Sequence, residues 1–374
     1  MRIYTAFVIA PLDSVDWSAF LQRPPLPQPS LEALDALADA PMLITGAGGS
    51  IGSALALRLA SICKARAVFL DASENHLHGL QQAWTQVAAS KPDRALFALG
   101  DAGDRAFLED IFRTHRPRLA IHAAAYKHVP LLERQPFAAI ANNVFATANV
   151  AAVAAEYGAR VLLLSTDKAV QPASVMGATK RVAEAIVLGG GGTALRLANV
   201  LGSSGSAAEV FARQALRGGP MTVSDPKARR FFLTLDEAVD LLCAVAARNS
   251  SALLVPALAD DYSVAELARF LARVFAPGRE VSLCFTGSRP GDKLTERLWD
   301  EDEFAGAAEG GLRAIDIAGR KREDLNRPLA ALRLAVRERD LTAALAEICA
   351  LVPGFHPSQT VLALAAGRAC QEVG

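Results

Sequence analysis

The sequence of 374 residues lacks an excess of charge of either sign, and this absence narrows the range of its partners. Its 39 lysines and arginines balance its 39 aspartates and glutamates, and no dense run of basic residues is visible. We therefore expect neither a nucleic acid nor an anionic membrane as the main partner. The balance still leaves room for a local phosphate site.

Cysteine and long hydrophobic runs are also scarce. The five cysteines have no Cys-x-x-Cys spacing; they are Cys63, Cys243, Cys284, Cys349 and Cys370. We therefore expect no disulfide framework and no metal site. We expect reduced thiols instead, which is typical of a cytoplasmic protein. The apolar stretch within residues 1–13 is too short to span a bilayer and has no convincing cleavage site. The sequence predicts a cytoplasmic protein without a membrane span.

From Pro41 onward, short apolar runs alternate with helical segments. The predicted strands are 42–45, 67–71, 95–99, 119–123, 160–165 and 194–197, and the predicted helices are 51–62, 75–89, 104–114 and 137–157. Strands rich in Ile, Val and Leu without polar alternation are typical of a parallel sheet covered on both faces. The expected fold class is therefore α/β, a doubly wound parallel sheet of the Rossmann type.

Four regions are expected along the chain. Residues 1–40 form an extension, interrupted by prolines, that packs on the main body through Trp17, Phe20 and Leu21. Residues 41–200 form the nucleotide-binding domain, and residues 201–324 form a smaller substrate lobe interleaved with the sheet. Residues 325–374 form a helical tail to which no chemistry is assigned.

The first predicted strand is followed by the glycine-rich run MLITGAGGSIG. Gly46, Gly49 and Gly52 lie between a strand and an amphipathic helix, where a tight turn brings helix N-terminal amides, here those of Ser50 and Ile51, towards a pyrophosphate. A glycine turn kept only for packing is the alternative. The strand–helix context favours a dinucleotide site.

Two carboxylates follow the next two strands. Asp71, nineteen residues after Gly52, is placed to accept hydrogen bonds from an adenosine ribose, and its charge would repel a 2′-phosphate. No Arg or Lys follows in ASENHLHG, so the predicted cofactor is NAD rather than NADP. Asp101 is predicted either to meet the adenine edge or to cap a turn or helix.

Later strands deliver further polar residues to the carboxyl edge of the sheet, where ligands bind in such folds. The run HAAAYKHVP exposes Lys127 and His128, which are expected to border a substrate. Ala123 and Ala125 in the same run are expected to contact the cofactor. Asn143 is expected to brace a helix near the nicotinamide and to contact the cofactor as well.

These motifs resemble those of one enzyme family. TGAGGSIGS, HAAAYKHVPLLE, NNVFATANV, STDKAV with MGATKR, RLANVLGSSGS, VSDP before RRFF, and RPGDKL occur in order over residues 41–300. Together they are similar to the extended short-chain dehydrogenase/reductases of polysaccharide biosynthesis, and within them to the UDP-N-acetylglucosamine 4,6-dehydratases. The chain resembles the branch with methionine in place of the catalytic tyrosine, as a soluble short form without the membrane helices of longer members.

The resemblance implies a reaction and roles for particular residues. In this family hydride leaves carbon 4 of the sugar for NAD, water is eliminated across carbons 5 and 6, and hydride returns to carbon 6. The implied acid is Asp167 and the implied base is Lys168, with Thr166 bonded to the oxygen on carbon 4. Ser165 and Lys180 are in place, but Met176 stands four residues before Lys180, at the tyrosine position. The implied partners are a UDP-sugar and further copies of the chain.

Asp167 and Lys168 could instead form a simple salt bridge. Carboxyls are normally ionised and lysines protonated at neutral pH, whereas the two roles need the reverse. Burial under substrate would shift both pKa values in the required direction, and mutual pairing would shift both away from it. Because no tyrosine stands at the usual position, we hypothesise that Asp167, or a water it orients, also takes the proton of the carbon-4 hydroxyl.

The remaining predicted contacts involve substrate. Asn199 is expected to meet the sugar diphosphate, and Arg289 to clamp its phosphates. Arg230 matches a family arginine, but Arg229 stands where a small residue is usual, so which arginine faces the ligand stays open. A surface ion pair is the alternative for each arginine. The alternative functions are a carbon-5-inverting dehydratase, a 4-epimerase and a non-catalytic NAD-sensing scaffold.

Overall fold

The computed structural model describes residues 12–88, 94–316 and 323–367. In chain order its strands are β1 Met42–Thr45, β2 Ala67–Asp71, β3 Ala95–Leu99, β4 Leu119–His122, β5 Arg160–Thr166, β6 Thr193–Leu197, β7 Asn199–Val200, β8 Met221–Val223, β9 Arg229–Arg230, β10 Phe232–Leu233, β11 Leu253–Pro256, β12 Tyr262–Ser263, β13 Leu283–Phe285, β14 Phe304–Glu309 and β15 Leu312–Asp316.

The helices surround these strands. They are α1 Trp17–Leu21, α2 Leu31–Ala38, α3 Ser50–Ile62, α4 Glu74–Val87, α5 Arg105–His115, α6 Val129–Arg134, α7 Pro136–Ala139, α8 Ala146–Glu156, α9 Val175–Gly189, α10 Ala207–Leu216, α11 Leu235–Ala247, α12 Val264–Phe275, α13 Glu323–Arg337, α14 Leu341–Leu351 and α15 Gln359–Ala365. A π-helical turn, Ile140–Phe145, joins α7 to α8, and a 3₁₀ turn, Asp167–Ala169, follows β5.

The main sheet has the order β14-β15-β11-β6-β5-β4-β1-β2-β3. The strands from β3 to β11 are parallel, and β15 and β14 close one edge in antiparallel pairing. The residues of β1 and β4 are buried throughout, as strands covered on both faces require. The strand order reverses at β1 and β4, so the predicted doubly wound sheet is confirmed.

The predicted boundaries agree closely with the observed elements. The first three strands have the predicted limits, while β4 stops at His122 and β5 continues to Thr166. The predicted helix 137–157 is interrupted by the π turn, which contains Asn143. A wide turn of this kind breaks the regular bond pattern and is common at functional sites. By length and composition alone, Pro136–Glu156 could cross a membrane, and half of its apolar window is buried inside the protein.

The described part of the N-terminal extension packs on the smaller lobe. Phe20 stacks near Phe232 and Phe270, and Trp17 lies near Phe270 as well. Leu21 is buried, and its carbonyl accepts the Tyr262 hydroxyl at 2.7 Å. The predicted packing of Trp17, Phe20 and Leu21 is therefore confirmed. Residues 1–11 lie outside the described residues, as does Cys370.

Within residues 201–324, β11, β14 and β15 join the main sheet, while α10, α12 and β8 share a separate apolar cluster with the extension. The tail contains α13, α14 and α15 among its described residues. Apolar residues of these helices pack with Val129, Val175 and Met176. The tail therefore covers the outer side of α6 and α9.

Candidate functional site at the carboxyl edge of the sheet

The turn between β1 and α3 is built for close backbone approach. Gly46 has φ +65°, and a Cβ there would lie 2.6 Å from the Ala124 nitrogen. A Cβ on Gly52 would lie 2.2 Å from the Gly46 oxygen. Gly49 is the N-cap of α3, and no side chain among the described residues caps that end. The first-turn amides of α3, including those of Ser50 and Ile51, are thus free of a capping side chain, which is what a pyrophosphate needs.

Asp71 is fixed against this turn. Its Oδ2 accepts the Gly48 amide at 2.8 Å, and its Oδ1 accepts the Ser73 amide at 2.8 Å. The carboxylate at the end of β2 therefore lies beside the glycine loop, as the ribose role requires. Asp101 accepts the Gly103 amide at 2.7 Å and is exposed. The structure gives Asp101 a turn role, and its contact with adenine stays a prediction.

His122, which the sequence reasoning missed, is buried at the end of β4. Its Nδ1 lies 2.7 Å from the Thr45 hydroxyl, and its Nε2 lies 3.1 Å from the Thr147 hydroxyl. Because Thr147 donates its proton to the Asn143 carbonyl, it must accept from Nε2–H. Burial, reinforced by the charge of Lys180, lowers the pKa of His122 to about 3. His122 is thus a neutral residue that links Thr45 on β1 to Thr147 on α8. Its position as a polar residue at the end of a buried strand was the sequence signal that could have identified it.

Asn143 is 1% exposed and braces the next segment of the site. Its Oδ1 accepts the Tyr126 amide at 2.9 Å, and its Nδ2 donates to the Tyr126 carbonyl at 3.1 Å. A further bond joins Nδ2 to the Thr179 hydroxyl at 3.2 Å. Asn143 therefore holds the 123–128 loop, which carries Ala123 and Ala125, against α9. Its bracing role is observed, and its contact with the cofactor stays a prediction.

A closed ring of hydrogen bonds joins Asp167, Lys168 and Asn199. We call Asp167 and Lys168 the site pair, and the Asn199 side chain bridges them. Lys168 Nζ donates to Asp167 Oδ1 at 2.9 Å and to Asn199 Oδ1 at 3.1 Å. Asn199 Nδ2 donates to Asp167 Oδ2 at 3.3 Å. Thr166 donates its hydroxyl to Asp167 Oδ1 at 2.9 Å. Asn199, predicted to meet the diphosphate, thus bridges both members of the pair.

The electrostatics of this ring are those of a salt bridge. Asp167 is fully buried, whereas the Lys168 side chain keeps 23% of its exposure. Burial alone would lower the pKa of Lys168, but the carboxylates of Asp167 and Glu296 outweigh it and raise the pKa above its usual range. The structure therefore contains the salt bridge that the sequence left open as an alternative for Asp167 and Lys168. For Lys168 to act as a base, its ammonium group must first lose a proton.

Ser165 belongs to a different cluster. Consecutive strand residues face opposite sides, and Ser165 lies beside Arg196 on β6. Its hydroxyl donates to Glu184 Oε1 at 2.6 Å. Arg196 is fully buried and bonds Glu184 at 2.9 Å and Glu303 at 2.7 Å. We call Arg196, Glu184 and Glu303 the core cluster. The Ser165 hydroxyl thus bonds the core cluster, whereas the Thr166 hydroxyl bonds Asp167 of the site pair.

Lys180 and Met176 lie one helical turn apart on α9. Lys180 Nζ donates to the Leu164 carbonyl at 2.7 Å. Burial lowers the pKa of Lys180 to about 8, against the opposing charge of Glu184. Met176 is 3% exposed and packs in the apolar cluster with Val175 and the tail helices. A Cβ on Gly177 would lie 2.3 Å from the Lys168 carbonyl, so α9 packs tightly on the turn that carries the pair.

Lys127 and His128 lie at the mouth of this region. Lys127 Nζ donates to the Ser204 carbonyl at 2.6 Å. A Cβ on Gly205 would lie 2.6 Å from His128 Cε1. The 126–128 loop therefore contacts the loop around 204 rather than standing free, and both residues are exposed.

The neighbouring arginines have different surroundings. Arg229 is tied to Asp261, with Nε 2.7 Å from Oδ1. Arg230 donates to the carbonyls of Lys293 at 2.8 Å and Leu294 at 3.0 Å. Its charge also acts on Lys168. Arg230 is thus the arginine on the side of the site pair. Arg289 has a side chain that is 60% exposed and pairs with Asp292 at 3.0 Å, the surface ion pair considered as its alternative.

A groove of about 540 Å³ lies elsewhere, between α8, α9 and α13. Its lining includes Ala151, Ala155, Ile186 and Leu329, and it contains none of the predicted site residues. The predicted site residues instead lie towards the carboxyl edge of the sheet.

The model of the family described as polysaccharide biosynthesis protein matches residues 42–311. The probable polysaccharide biosynthesis protein EpsC of Bacillus subtilis is 35% identical over 294 residues, which are 76% of this chain and 49% of that protein. The UDP-glucose 4-epimerase of Rickettsia akari is 30% identical over 302 residues, 77% of this chain and 85% of that one. The chain spans about half the length of EpsC.

Solved structures share the fold. Pen from Bacillus thuringiensis superposes with a TM-score of 0.69 at 24% identity, covering 76% of this chain and 89% of that chain. DesIV, the dTDP-glucose 4,6-dehydratase of Streptomyces venezuelae with NAD and TYD bound, gives 0.60 at 21% identity, with coverages of 69% and 88%.

Proposed function

This chain belongs to the polysaccharide biosynthesis protein family, and we propose that it is an NAD-dependent nucleotide-sugar 4,6-dehydratase. The proposed substrate is UDP-N-acetylglucosamine, and the proposed product is a UDP-4-keto-6-deoxy-N-acetylhexosamine for a bacterial surface polysaccharide. The observation that carries the proposal is the Asp167–Lys168 pair at the carboxyl end of β5. An elimination across carbons 5 and 6 needs an acid and a base at those carbons, whereas a 4-epimerase needs no acid/base pair there.

The glycine turn and Asp71 suit an NAD molecule. Gly46 and Gly52 leave no room for side chains, so the backbone can approach a pyrophosphate. Asp71 is positioned to receive ribose hydroxyls and to repel a 2′-phosphate. When bound, NAD supplies the hydride acceptor for carbon 4 and the hydride donor for carbon 6.

The proton balance favours Asp167 in two consecutive steps. As a carboxylate it takes the proton of the carbon-4 hydroxyl, which Thr166 orients, and it then gives that proton to the departing carbon-6 hydroxyl, which leaves as water. Lys168 in its neutral form takes the carbon-5 proton and returns it after hydride reaches carbon 6. In this scheme the sugar loses one water and the two side chains end as they began.

The scheme begins with Asp167 as a carboxylate and Lys168 as a neutral amine, so the salt bridge must first lose the Lys168 proton to solvent. Moving that proton along the 2.9 Å bond to Asp167 would instead leave a carboxylic acid that cannot take the carbon-4 proton. Substrate that excludes water from Lys168 favours the neutral amine, because burial lowers amine pKa values. The 23% exposure of Lys168 leaves the surface that substrate would cover.

The test is NMR of the product formed from UDP-N-acetylglucosamine. The expected product has lost one water, carries a 4-keto group and a 6-methyl group, and forms without net accumulation of NADH. Its carbon-5 configuration separates the retaining enzyme from the carbon-5-inverting alternative. A 4-epimer of unchanged mass would favour the epimerase, which the name of the Rickettsia relative raises. No turnover with any UDP- or GDP-sugar would favour an NAD-sensing scaffold.

The proposed setting is the cytoplasm, with the chain acting as a homo-oligomer. The scattered cysteines, which have no paired spacing, support this setting. Size-exclusion chromatography with light scattering tests the oligomer, and a monomer at working concentration would contradict it.

A further inference from the structure

Glu133 on α6 is a buried carboxyl to which the proposed reaction assigns no role. It is 1% exposed, and its Oε1 accepts the amide of Val175 at 2.7 Å. Val175 is the first residue of α9, whose N-cap Ser174 accepts the Gly177 amide. The first amides of a helix lack partners within it, and a carboxylate there is also favoured by the helix dipole. Glu133 therefore fixes the N-terminus of the helix that carries Met176 and Lys180.

The same side chain supports the loop that carries Arg289. Gly291 has φ +81°, and a Cβ there would lie 3.2 Å from Glu133 Cδ and 2.9 Å from Ser174 Cβ. The backbone of the loop thus rests directly on the carboxyl group and on the N-cap of α9. Asp292, the ion-pair partner of Arg289, follows immediately in the chain.

Glu133 Oε2 is buried without a hydrogen-bond partner among the described residues. Burial, helped by the charge of Asp292, raises the pKa of Glu133, while the nearby Ser358 hydroxyl and the hydrogen bond from the Val175 amide oppose the shift. A buried polar atom without a hydrogen-bond partner lowers the stability of the folded protein. Such a group is retained at a cost to stability, which is common where a position serves function.

We propose that Glu133 is a positioning residue that sets the N-terminus of α9 and the 289–293 loop relative to each other for substrate binding. The inference rests on the proposed function and on the expectation from the sequence that Arg289 contacts the substrate phosphates. Glu133 lies on α6, which directly follows the Lys127–His128 loop, and its carboxyl group contacts the N-terminus of α9 and the loop at Gly291. A displacement of about 1 Å where the α9 N-terminus and the 289–293 loop meet can lower turnover by up to about 100-fold.

The test compares Glu133→Leu, Glu133→Gln and Gly291→Ala with Gly287→Ala as control. Gly287 has φ +86° in the same loop, but a Cβ there meets no atom within 4 Å. It therefore carries the backbone strain without the contact. Glu133→Leu and Gly291→Ala should each raise KM for UDP-N-acetylglucosamine about 10-fold or more and lower kcat less. Glu133→Gln, whose amide oxygen still accepts the Val175 amide, should stay within about 3-fold of wild type.

Two further measurements decide the outcome. The double variant Glu133→Leu/Gly291→Ala should lose less than the product of the two single losses, because both break one contact. Hydrogen exchange should speed up together in residues 172–178 and 286–293 of Glu133→Leu, and this readout needs no turnover. Equal KM and exchange in wild type and Glu133→Leu would overturn the inference. If the wild-type protein is inactive but exchange still speeds up together in both segments of Glu133→Leu, the proposed function is wrong and the positioning role of Glu133 stands.

Discussion

Two clusters of buried charge lie on neighbouring strands and differ in how completely their charges are matched. In the core cluster, the fully buried guanidinium of Arg196 meets both carboxylates, Glu184 and Glu303, in two-pronged contacts at 2.7–3.0 Å. The Leu298 carbonyl and the Ser165 hydroxyl add further bonds. The site pair has one carboxylate, one lysine with 23% exposure, and the amide of Asn199.

The difference separates a cluster that holds the fold from one that can exchange protons. The guanidinium of Arg196 cannot lose its proton in a protein, and its planar fork matches two carboxylates geometrically. Lysine carries a point charge whose pKa responds to burial. A substrate can cover the exposed edge of Lys168, whereas nothing can reach Arg196. Stability and chemistry are therefore assigned to different sides of β5.

The largest expected effect is in the site pair. Asp167→Asn should lower turnover by about 10⁴-fold, since one carboxyl serves as base and then as acid. It should also abolish the first hydride transfer, seen as bound NADH on adding substrate. The thermal unfolding midpoint should change little. Asp110→Asn, on an exposed ion pair of α5, is the control. Normal formation of bound NADH in Asp167→Asn would show that another group takes the carbon-4 proton.

The second-largest effect is expected in the core cluster, and it concerns the free energy of unfolding rather than turnover. Arg196→Met leaves the buried carboxylates of Glu184 and Glu303 with Arg181 as their remaining cationic partner and should cost about 3–5 kcal/mol of unfolding free energy. Urea denaturation measures the loss. Arg297→Met removes an exposed ion pair and should cost less than about 1 kcal/mol. Equal losses in the two variants would contradict the assignment of a structural role to Arg196.

The acid stability of the core cluster gives a third comparison. Burial would raise the pKa of Glu303, but Arg196 and Arg181 outweigh it and lower the pKa to about 2 from 4.5. Because the folded pKa is depressed, the stabilisation is fully present above pH 4.5 and is lost as the pH falls towards 2. The gap in unfolding free energy between wild type and Glu303→Gln, roughly 3 kcal/mol at neutral pH, should therefore close over that range.

A constant gap between wild type and Glu303→Gln from pH 7 to pH 2.5 would contradict this account. Glu301→Gln, which alters the exposed pair with Arg297, serves as the control and should show no such closing.

The smallest effect sharpens the comparison within the site pair. Glu296 is 5% exposed, and its charge helps raise the pKa of Lys168. Glu296→Gln should lower that pKa, so the neutral base is present at lower pH. The rising limb of the kcat profile should therefore move to lower pH, as measured by turnover between pH 6 and 10. An unmoved limb would mean that Lys168 does not set it. Glu301→Gln should leave the limb in place.

The predicted fold succeeded because its signals are local. Buried strands without polar alternation, and a glycine turn between strand and helix, are visible within a few residues. The same is true of the adjacent Asp167 and Lys168. The local sequence could not show that Ser165 joins the core cluster and Thr166 the site pair. Which cluster each residue faces depends on which neighbouring strand carries Arg196.

Contacts between distant segments could not be predicted either. Asn199 begins β7, just after β6, and it meets the site pair because β6 lies beside β5 in the sheet. Glu133 meets Gly291 across 158 positions of the chain. The choice between Arg229 and Arg230 depends on Asp261 and on the carbonyls of Lys293 and Leu294. None of these partners leaves a pattern near the residue that it contacts.

The amino-acid order alone determined the alternation of strands and helices, the dinucleotide turn and the presence of a carboxyl beside an amine. Hydrophobic periodicity and glycine stereochemistry act over a few residues, and they are therefore legible in a single chain. The tertiary structure decided which charges are sealed in the interior and which keep contact with water. That decision follows from burial, since desolvation depends on every segment that packs around a group and on none of them singly.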